Sequence, residues 1–172
     1  VKTLEDLKGI KMRTSALYDR FMKKLGMIPV TVKFGETFTA LERGLVQGFG
    51  FATLGPREWG WLKNCKYIID IPFYTRQNVL ILMNLDVWNG LDKKVQDKIM
   101  DITVKFEPEM EAYFKKQIKE EWKKYDEIGI KRIKFTDAEN KKYYDAAYEA
   151  EWEDMSKKVP DLVPTLKKLT GN

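Results

Sequence analysis

The first third of the chain alternates strand-like segments with segments of helical periodicity. Residues 9–14, 28–34 and 49–54 are rich in apolar and β-branched positions and predict three short strands. Between them, apolar residues recur every three or four positions in 15–25 and 37–46, which predicts two helices. The side chains predicted to face inward are Leu17, Phe21 and Leu25 in the first helix and Phe38, Leu41 and Leu45 in the second. This alternation predicts an α/β fold with a parallel sheet and crossover helices.

The rest of the chain adds strands and longer helices. Residues 67–71 and 78–84 are strand candidates, and a helix with apolar positions at three- and four-residue intervals is predicted over 91–128. Pro108 lies inside that helix and should kink it, because proline removes a backbone donor and clashes with the preceding turn. A further strand at 130–135 and two carboxyl-terminal helices complete the predicted elements. The sheet is therefore expected to be parallel or mixed.

Composition restricts the chemistry. The chain has 172 residues, 44% of them hydrophobic and 13% aromatic, as expected for a folded protein. No apolar run approaches the roughly 20 residues of a membrane-spanning helix, so the chain is not itself a channel. It has no histidine and a single cysteine, Cys65, which excludes imidazole catalysis, multi-cysteine metal sites and an intrachain disulfide. We predict no enzyme activity, no metal and no cofactor.

The charge pattern leaves one alternative open. The net charge is +5, but basic and acidic residues are interspersed, which is typical of solvated helix faces. The acidic residues crowded in 149–154 are interpreted in the same way, in preference to a metal site. A basic and aromatic stretch at 141–144 leaves a nucleic-acid or protein interaction module of α/β type as the alternative, but its acidic neighbours weaken a phosphate-binding stripe. We expect no nucleic-acid partner.

Arg13 is the candidate binding residue. It lies at the carboxyl end of the first predicted strand, where open α/β sheets collect their ligands. A guanidinium can hold a carboxylate by two parallel hydrogen bonds. By position alone, a surface or ion-paired arginine is the better interpretation.

Three segments resemble the DctP-type substrate-binding proteins of TRAP transporters. Residues 6–13, Asp-Leu-Lys-Gly-Ile-Lys-Met-Arg, are similar to that family's Asp-Leu-Lys-Gly-x-Lys-x-Arg. Residues 34–48, Phe-Gly-Glu-Thr-Phe-Thr-Ala-Leu-Glu-Arg-Gly-Leu-Val-Gln-Gly, resemble its Phe-x-Glu-x-Tyr-x-Ala-Leu-Gln-x-Gly-x-Val-Asp-Gly. Residues 82–91 resemble its Ile-Asn-x-x-x-Trp-x-x-Leu segment, and a long helix follows. The three segments occur in the family's order at compatible spacing.

The resemblance implies a type II periplasmic receptor that closes two lobes on a small organic acid and delivers it to membrane permease subunits. The family's carboxylate-clamping arginine falls on Arg13, with Thr14 and Ser15 beside it. Its ring-bearing loop places Phe34 at the pocket wall, while plain core packing of Phe34 remains an alternative. The implied location is periplasmic.

One departure from the family changes the expected ligand. After the glycine of its Asp-Gly motif, the family commonly has Gln-Glu-Asn-Pro, whose asparagine reaches the ligand. Here the matching stretch is Phe-Gly-Phe-Ala at 49–52, so Phe51 replaces the asparagine. A polar contact is replaced by an apolar wall, which disfavours sialic acid and other richly hydroxylated ligands.

The chain is also shorter than members of this family. It resembles their carboxyl-terminal portion, with an α/β ligand-binding lobe at 1–76 and a return strand, long helix and carboxyl-terminal elements at 77–172. The amino-terminal lobe of the family is missing from this chain, and no signal peptide is visible in it. Self-association, or a separate chain supplying the missing portion, is expected.

Overall fold

The computed structural model describes residues 1–15, 17–71 and 80–170. They form two compact units, one of Val1–Thr75 with Gly129–Asn172 and the other of Arg76–Ile128. The predicted division into 1–76 and 77–172 concerns the lobes of a whole receptor and stays a prediction.

A three-stranded parallel sheet organises the first unit. Its strands are β1 (Lys11–Thr14), β2 (Ile28–Thr31) and β3 (Gly48–Phe49), in the order β2-β1-β3. Arg13 on β1 is in register with Val30 on β2 and Phe49 on β3. The predicted parallel pairing is confirmed, and the carboxyl ends of all three strands lie at one edge. β2 and β3 are shorter than predicted, and Phe34 begins a 3-10 helix, Phe34–Glu36, instead of ending a strand.

The first crossover helix is shorter than the sequence predicts. α1 covers Asp19–Lys24, and it is preceded by a turn in which the Tyr18 amide donates to the Ser15 carbonyl. Because the turn takes Leu17 out of the helix, this side chain is 38% exposed and the prediction that it faces inward is wrong.

The second crossover helix also ends early. α2 covers Thr37–Glu42 and stops before Gly44, whose φ of +67° belongs to the left-handed region that ends many helices. Leu45 therefore lies beyond the helix and is 55% exposed, which contradicts its predicted inward position. The chain returns to the core one residue later, where Val46 is buried.

Two hydrophobic clusters pack against the sheet. Successive residues of a strand face opposite sides, and on β1 Met12 packs against the first cluster while Arg13 lies over Trp61 of the second. The first cluster includes Phe21, Met22, Phe135, Tyr143 and Ala147. The second comprises Val32, Ala40, Leu41, Val46 and Trp61, the last from a 3-10 helix, Trp61–Asn64. Arg13 thus lies on the face of the sheet that carries the second cluster.

The carboxyl-terminal elements of the first unit follow the predicted order. β4 (Tyr67–Ile69) pairs in parallel with β5 (Lys131–Ile133). α5 (Asp137–Lys158) begins after Thr136, whose hydroxyl accepts from the Glu139 amide in a capping box. α6 (Val163–Thr170) follows.

The second unit contains α3 (Leu85–Asn89) and the 35-residue α4 (Lys93–Glu127). α4 continues through Pro108, and the kink predicted there stays a prediction. The strand predicted over 78–84 is wrong for its described part, because residues 80–84 form no strand and Asn84 caps α3 instead. Residues 78–79 lie outside the described residues. Of the helices described, none combines the length and apolar character needed to cross a membrane.

Candidate functional site

Arg13 is a buried cation at the carboxyl end of β1. Its side chain is 6% exposed, and its Nε donates to the Val32 carbonyl over 3.3 Å. Its guanidinium carbon lies 5.6 Å from the ring centroid of Trp61, within cation–π range. Among the residues that the structure describes, no carboxylate pairs with it within 4.0 Å. One hydrogen bond uses one of five N–H donors, so the terminal nitrogens can pair with a carboxylate.

Burial also acts on the pKa of Arg13. Desolvation lowers the pKa of the guanidinium, and the neighbouring Tyr18 acts against that change. Burial in turn raises the pKa of the Tyr18 phenol. An arginine stays protonated in proteins, so this site holds a fixed positive charge. A buried charge without a counter-ion is costly, and an anionic ligand would offset that cost.

Five rings form an aromatic cluster next to Arg13. They are Phe34, Phe49, Phe51, Trp59 and Trp61. Trp61 is 2% exposed and lies at its centre, with ring centroids 5.1 Å from Phe34, 5.4 Å from Phe51 and 5.1 Å from Trp59. The indole of Trp61 thus contacts both the guanidinium and the other four rings.

The cluster has an exposed side. Phe34, Phe51 and Trp59 are 46%, 37% and 40% exposed, although each packs against the other two. We call these three residues the aromatic rim. None of the three is a buried core residue, so the rim is an apolar surface next to a buried cation.

The positions of Trp59 and Trp61 depend on a glycine turn. After β3 the chain passes through Gly55, which has a φ of +106°. The Trp59 amide donates to the Gly55 carbonyl, and the Trp61 amide donates to the Pro56 carbonyl. A Cβ on Gly55 would lie 2.2 Å from the Trp59 indole, so only glycine allows this close approach. Glycine at position 55 therefore leaves the space in which the Trp59 ring packs against the cluster.

The structure brings together three of the five predicted site residues. Arg13 lies on β1, Phe34 follows β2 and Phe51 follows β3, and all three contact Trp61. Thr14 is buried at the end of β1, and its hydroxyl donates to the Ser15 carbonyl over 2.8 Å. The roles of all five residues in ligand binding stay predictions.

Sequence reasoning did not identify the two tryptophans of the cluster. A signal was present, since Trp-Gly-Trp at 59–61 follows a Gly-Pro turn shortly after the third predicted strand. Loops at the carboxyl ends of parallel strands supply ligand contacts in α/β proteins. Rings in such a loop could have been assigned to the site on that ground.

The crowded acidic residues of α5 form ion pairs. Arg20 pairs with Glu151 at 2.8 Å, and Lys24 pairs with both Glu149 and Glu153. Within the described ranges, no group of three or more acidic or cysteine side chains is arranged to hold a metal.

Two open depressions of about 480 and 370 Å³ lie along α5 and share no residue with the aromatic cluster. The charged side chains that line these depressions include Arg20, Lys24 and Glu153, which already form ion pairs with each other or with α5. We therefore place the candidate site at Arg13.

A parallel α/β sheet with a buried guanidinium and exposed rings at the carboxyl ends of its strands is the arrangement of a ligand-binding protein. Residues 1–158 match the family model described as bacterial extracellular solute-binding protein, family 7. The chain belongs to this DctP family, whose members are solute-binding proteins and not enzymes.

Relatives of known structure have the same fold. A TRAP periplasmic solute-binding protein from Desulfovibrio salexigens with bound orotic acid matches with a TM-score of 0.82 and 20% identity, over 98% of this chain and 55% of that chain. One from Pseudomonas putida F1 with bound D-glucuronate matches with a TM-score of 0.75 and 25% identity, over 96% of this chain and 53% of that chain. The predicted periplasmic-binding-protein fold is therefore confirmed.

A curated relative is similar in sequence. It is a monocarboxylate 2-oxoacid-binding periplasmic protein of Nostoc sp., 31% identical over 108 residues, which are 60% of this chain and 29% of the relative. The chain thus spans about half the length of the solved structures and matches a smaller part of the curated relative.

Proposed function

We propose that this protein is the extracytoplasmic receptor of a TRAP-type transporter, and that it binds a small organic acid through Arg13 and delivers it to membrane permease subunits. Family membership supports the solute-binding role, and the solved relatives are TRAP binding proteins. The periplasmic location is that of the curated relative.

The main support for the proposal is that Arg13 is buried without a carboxylate partner among the described residues. It is a guanidinium with 6% exposure, no carboxylate partner among the described residues, and a place at the carboxyl end of a parallel strand. Charge-assisted bidentate pairing in a closed cleft is strong and directional. A carboxylate would supply the counter-ion for this buried charge.

The ligands of the relatives support the same chemistry. Orotic acid and D-glucuronate both have a carboxylate, as do the 2-oxoacids for which the curated relative is named. In this proposal Thr14 and Ser15 lie beside the clamp, and Phe34 and Phe51 form the wall against the body of the ligand. Residues 1–76 then supply one lobe of the receptor.

Substitution of Arg13 tests the clamp. Calorimetry on the full natural protein, with a panel of small carboxylates, should show at least about tenfold weaker binding in Arg13→Ala, because hydrogen bonds to charged groups contribute roughly 1.5–3 kcal/mol each. Arg13→Lys retains the charge but loses the planar fork, so its affinity should be intermediate.

Arg43→Ala is the matched control, because it removes the same charge from an exposed position on the same unit. Its affinity should equal that of the wild type. Unchanged carboxylate affinity in a folded Arg13→Ala variant would contradict the proposal.

A further inference from the structure

We infer that the ligand is an aromatic monocarboxylate whose ring packs on the aromatic rim, with Trp59 as the residue that selects for aromaticity. This inference rests on the proposed function, since it takes the carboxylate to be held by Arg13. It adds the chemical class of the ligand body and a selectivity role for a residue that the sequence did not single out.

The rim is a contiguous apolar surface. Its three members are between 37% and 46% exposed, and their ring centroids lie 4.6 to 6.1 Å apart. Exposed rings gathered around one buried indole, and not scattered singly, mark a binding surface. Burial of this surface against an apolar ligand body would remove it from water.

The rim offers little to a hydroxylated ligand. Phe34 and Phe51 have no polar side-chain atom, and the indole N–H of Trp59 is the one donor that the rim side chains provide. A uronate pressed against this wall would lose the water bound to its hydroxyl groups without gaining partners, and such unpaired polar groups are costly to bury. The rim therefore disfavours sugar acids.

Ring geometry favours an aromatic body over an aliphatic one of equal size. The rim pairs meet at interplanar angles of 54° to 88°, which are the tilted and edge-to-face arrangements that aromatic rings prefer. A planar ligand ring can join this arrangement as a further partner. A saturated ring buries a similar area but gains none of the edge-to-face attraction.

The expected charge of the ligand follows from the single cation, Arg13, that contacts the aromatic cluster. The aromatic cluster and its cation–π partner contain one charged group, the Arg13 guanidinium, one ring away from the rim. A single carboxylate attached on or next to the ligand ring matches one guanidinium placed one ring away. A second carboxylate would lie against phenyl and indole surfaces, where it would be desolvated without a partner.

Matched ligand pairs separate aromaticity from size. Calorimetry on the full natural protein would compare benzoate with cyclohexanecarboxylate, and phenylacetate with cyclohexylacetate, with D-glucuronate and pyruvate as further carboxylates. In at least one pair we expect the aromatic acid to bind about 2- to 12-fold more tightly, the range that ring–ring contacts contribute. D-glucuronate should bind more weakly than either aromatic acid.

Variants of Trp59 assign the preference. Trp59→Phe keeps an aromatic ring and should retain the preference, whereas Trp59→Leu keeps an apolar side chain and should reduce it, because only Phe34 and Phe51 of the rim then remain aromatic. Trp152→Leu, in the depression along α5, is the matched control and should behave as the wild type. Circular dichroism verifies that each variant is folded, and the ligand pairs test the inference on the wild-type protein even if a variant is not.

The outcomes distinguish this inference from the proposed function. If the acids bind in an Arg13-dependent way but neither aromatic acid exceeds its saturated partner, or D-glucuronate or pyruvate binds more tightly, the aromatic class is overturned and the clamp stands. An undiminished preference in a folded Trp59→Leu variant overturns the role of Trp59. If no acid in the panel binds, or binding survives Arg13→Ala, the clamp fails and the inference fails with it.

Discussion

Gly55 is a single residue on which the geometry of the rim depends. Its φ of +106° is unfavourable for any residue with a Cβ, and an added Cβ would meet three carbons of the Trp59 indole between 2.2 and 2.7 Å away. The backbone turn and the ring position are therefore coupled. A side chain at 55 would both strain the turn and displace Trp59.

We predict that Gly55→Ala destabilises the protein by about 1–3 kcal/mol, the cost of holding a residue in a sparsely populated backbone region. The same variant should weaken binding of the aromatic acid, because Trp59 must leave the rim. Urea unfolding and ligand calorimetry measure the two effects.

Gly35→Ala is the control for this variant, since a Cβ at Gly35 meets nothing within 4 Å and its φ is not positive. Equal stability and equal affinity in the two variants would show that the Gly55 turn does not position Trp59.

Sequence analysis predicted some residues of the candidate site and missed others. Periodicity placed Arg13 at a strand end but left a surface arginine as the better interpretation, and the motif resemblance then marked Arg13, Phe34 and Phe51 as site residues. Trp59 and Trp61 were missed, since their approach to Arg13 depends on loop conformation after β3. Hydrophobic periodicity contains no information about a glycine turn of this kind.

Among the elements, α1 and α5 are joined by apolar packing and by charge. Phe21 meets Tyr143 edge-to-face at 4.9 Å within the first hydrophobic cluster. Beyond this contact, Lys24 lies between Glu149 and Glu153, which are one helical turn apart. The charged residues that looked crowded in the sequence therefore connect two helices.

We predict that the Lys24–Glu153 pair makes stability depend on acid pH. The hydrogen bond from Lys24 holds the pKa of Glu153 below its ordinary value of 4.5. A carboxylate with a depressed pKa in the folded state stabilises the protein above its unfolded pKa, and this contribution is lost as the pH falls through the folded pKa. Melting temperatures between about pH 7 and about pH 3 should therefore fall less steeply in Glu153→Gln than in the wild type.

Lys24, the basic member of the pair, stabilises the folded protein with the opposite dependence on pH. The same hydrogen bond raises the pKa of Lys24, so its contribution is present below 10.5 and is lost as the pH rises through the raised pKa. Glu42→Gln is the control, because Glu42 is exposed and is in no ion pair within the described residues. Identical acid profiles for Glu153→Gln and wild type would exclude this pair as a source of the pH dependence.

The predicted elements agree with the structure where periodicity is long and differ where turn chemistry decides. The 35-residue α4 (Lys93–Glu127) was located closely by the prediction of a helix over 91–128, because many turns repeat one pattern. α2 ends at Glu42, two residues before Gly44 with its positive φ, a turn that the apolar pattern does not show. The strand predicted over 78–84 failed in its described part for another reason, since an apolar run does not reveal whether a neighbouring strand is there to pair with it.

α4 has many exposed apolar side chains, which is the kind of surface that a second chain could cover. Among them are Val95, Met100, Ile102, Phe106, Tyr113 and Phe114. The expected self-association, or a separate chain that supplies the missing portion, stays a prediction. The predicted division into a lobe at 1–76 and further elements at 77–172 also stays a prediction, because it concerns the whole receptor.

Ligand binding should raise the melting temperature of the protein. A ligand that binds only the folded state stabilises it by about 2.7 kcal/mol at a hundred times its Kd. In the full natural protein used for calorimetry, that shift raises the melting temperature by several degrees, and by less the longer the chain. We therefore expect a saturable rise with benzoate or phenylacetate, whichever calorimetry shows to bind.

The matching neutral amide, benzamide or phenylacetamide, is the control for charge. It presents the same ring to Phe34, Phe51 and Trp59 but brings no counter-ion to Arg13. Because the cost of the buried guanidinium then remains, we expect the amide to leave the melting temperature nearly unchanged. Equal rises with the acid and its amide would show that the ring alone drives binding, and would remove Arg13 from the recognition of the carboxylate.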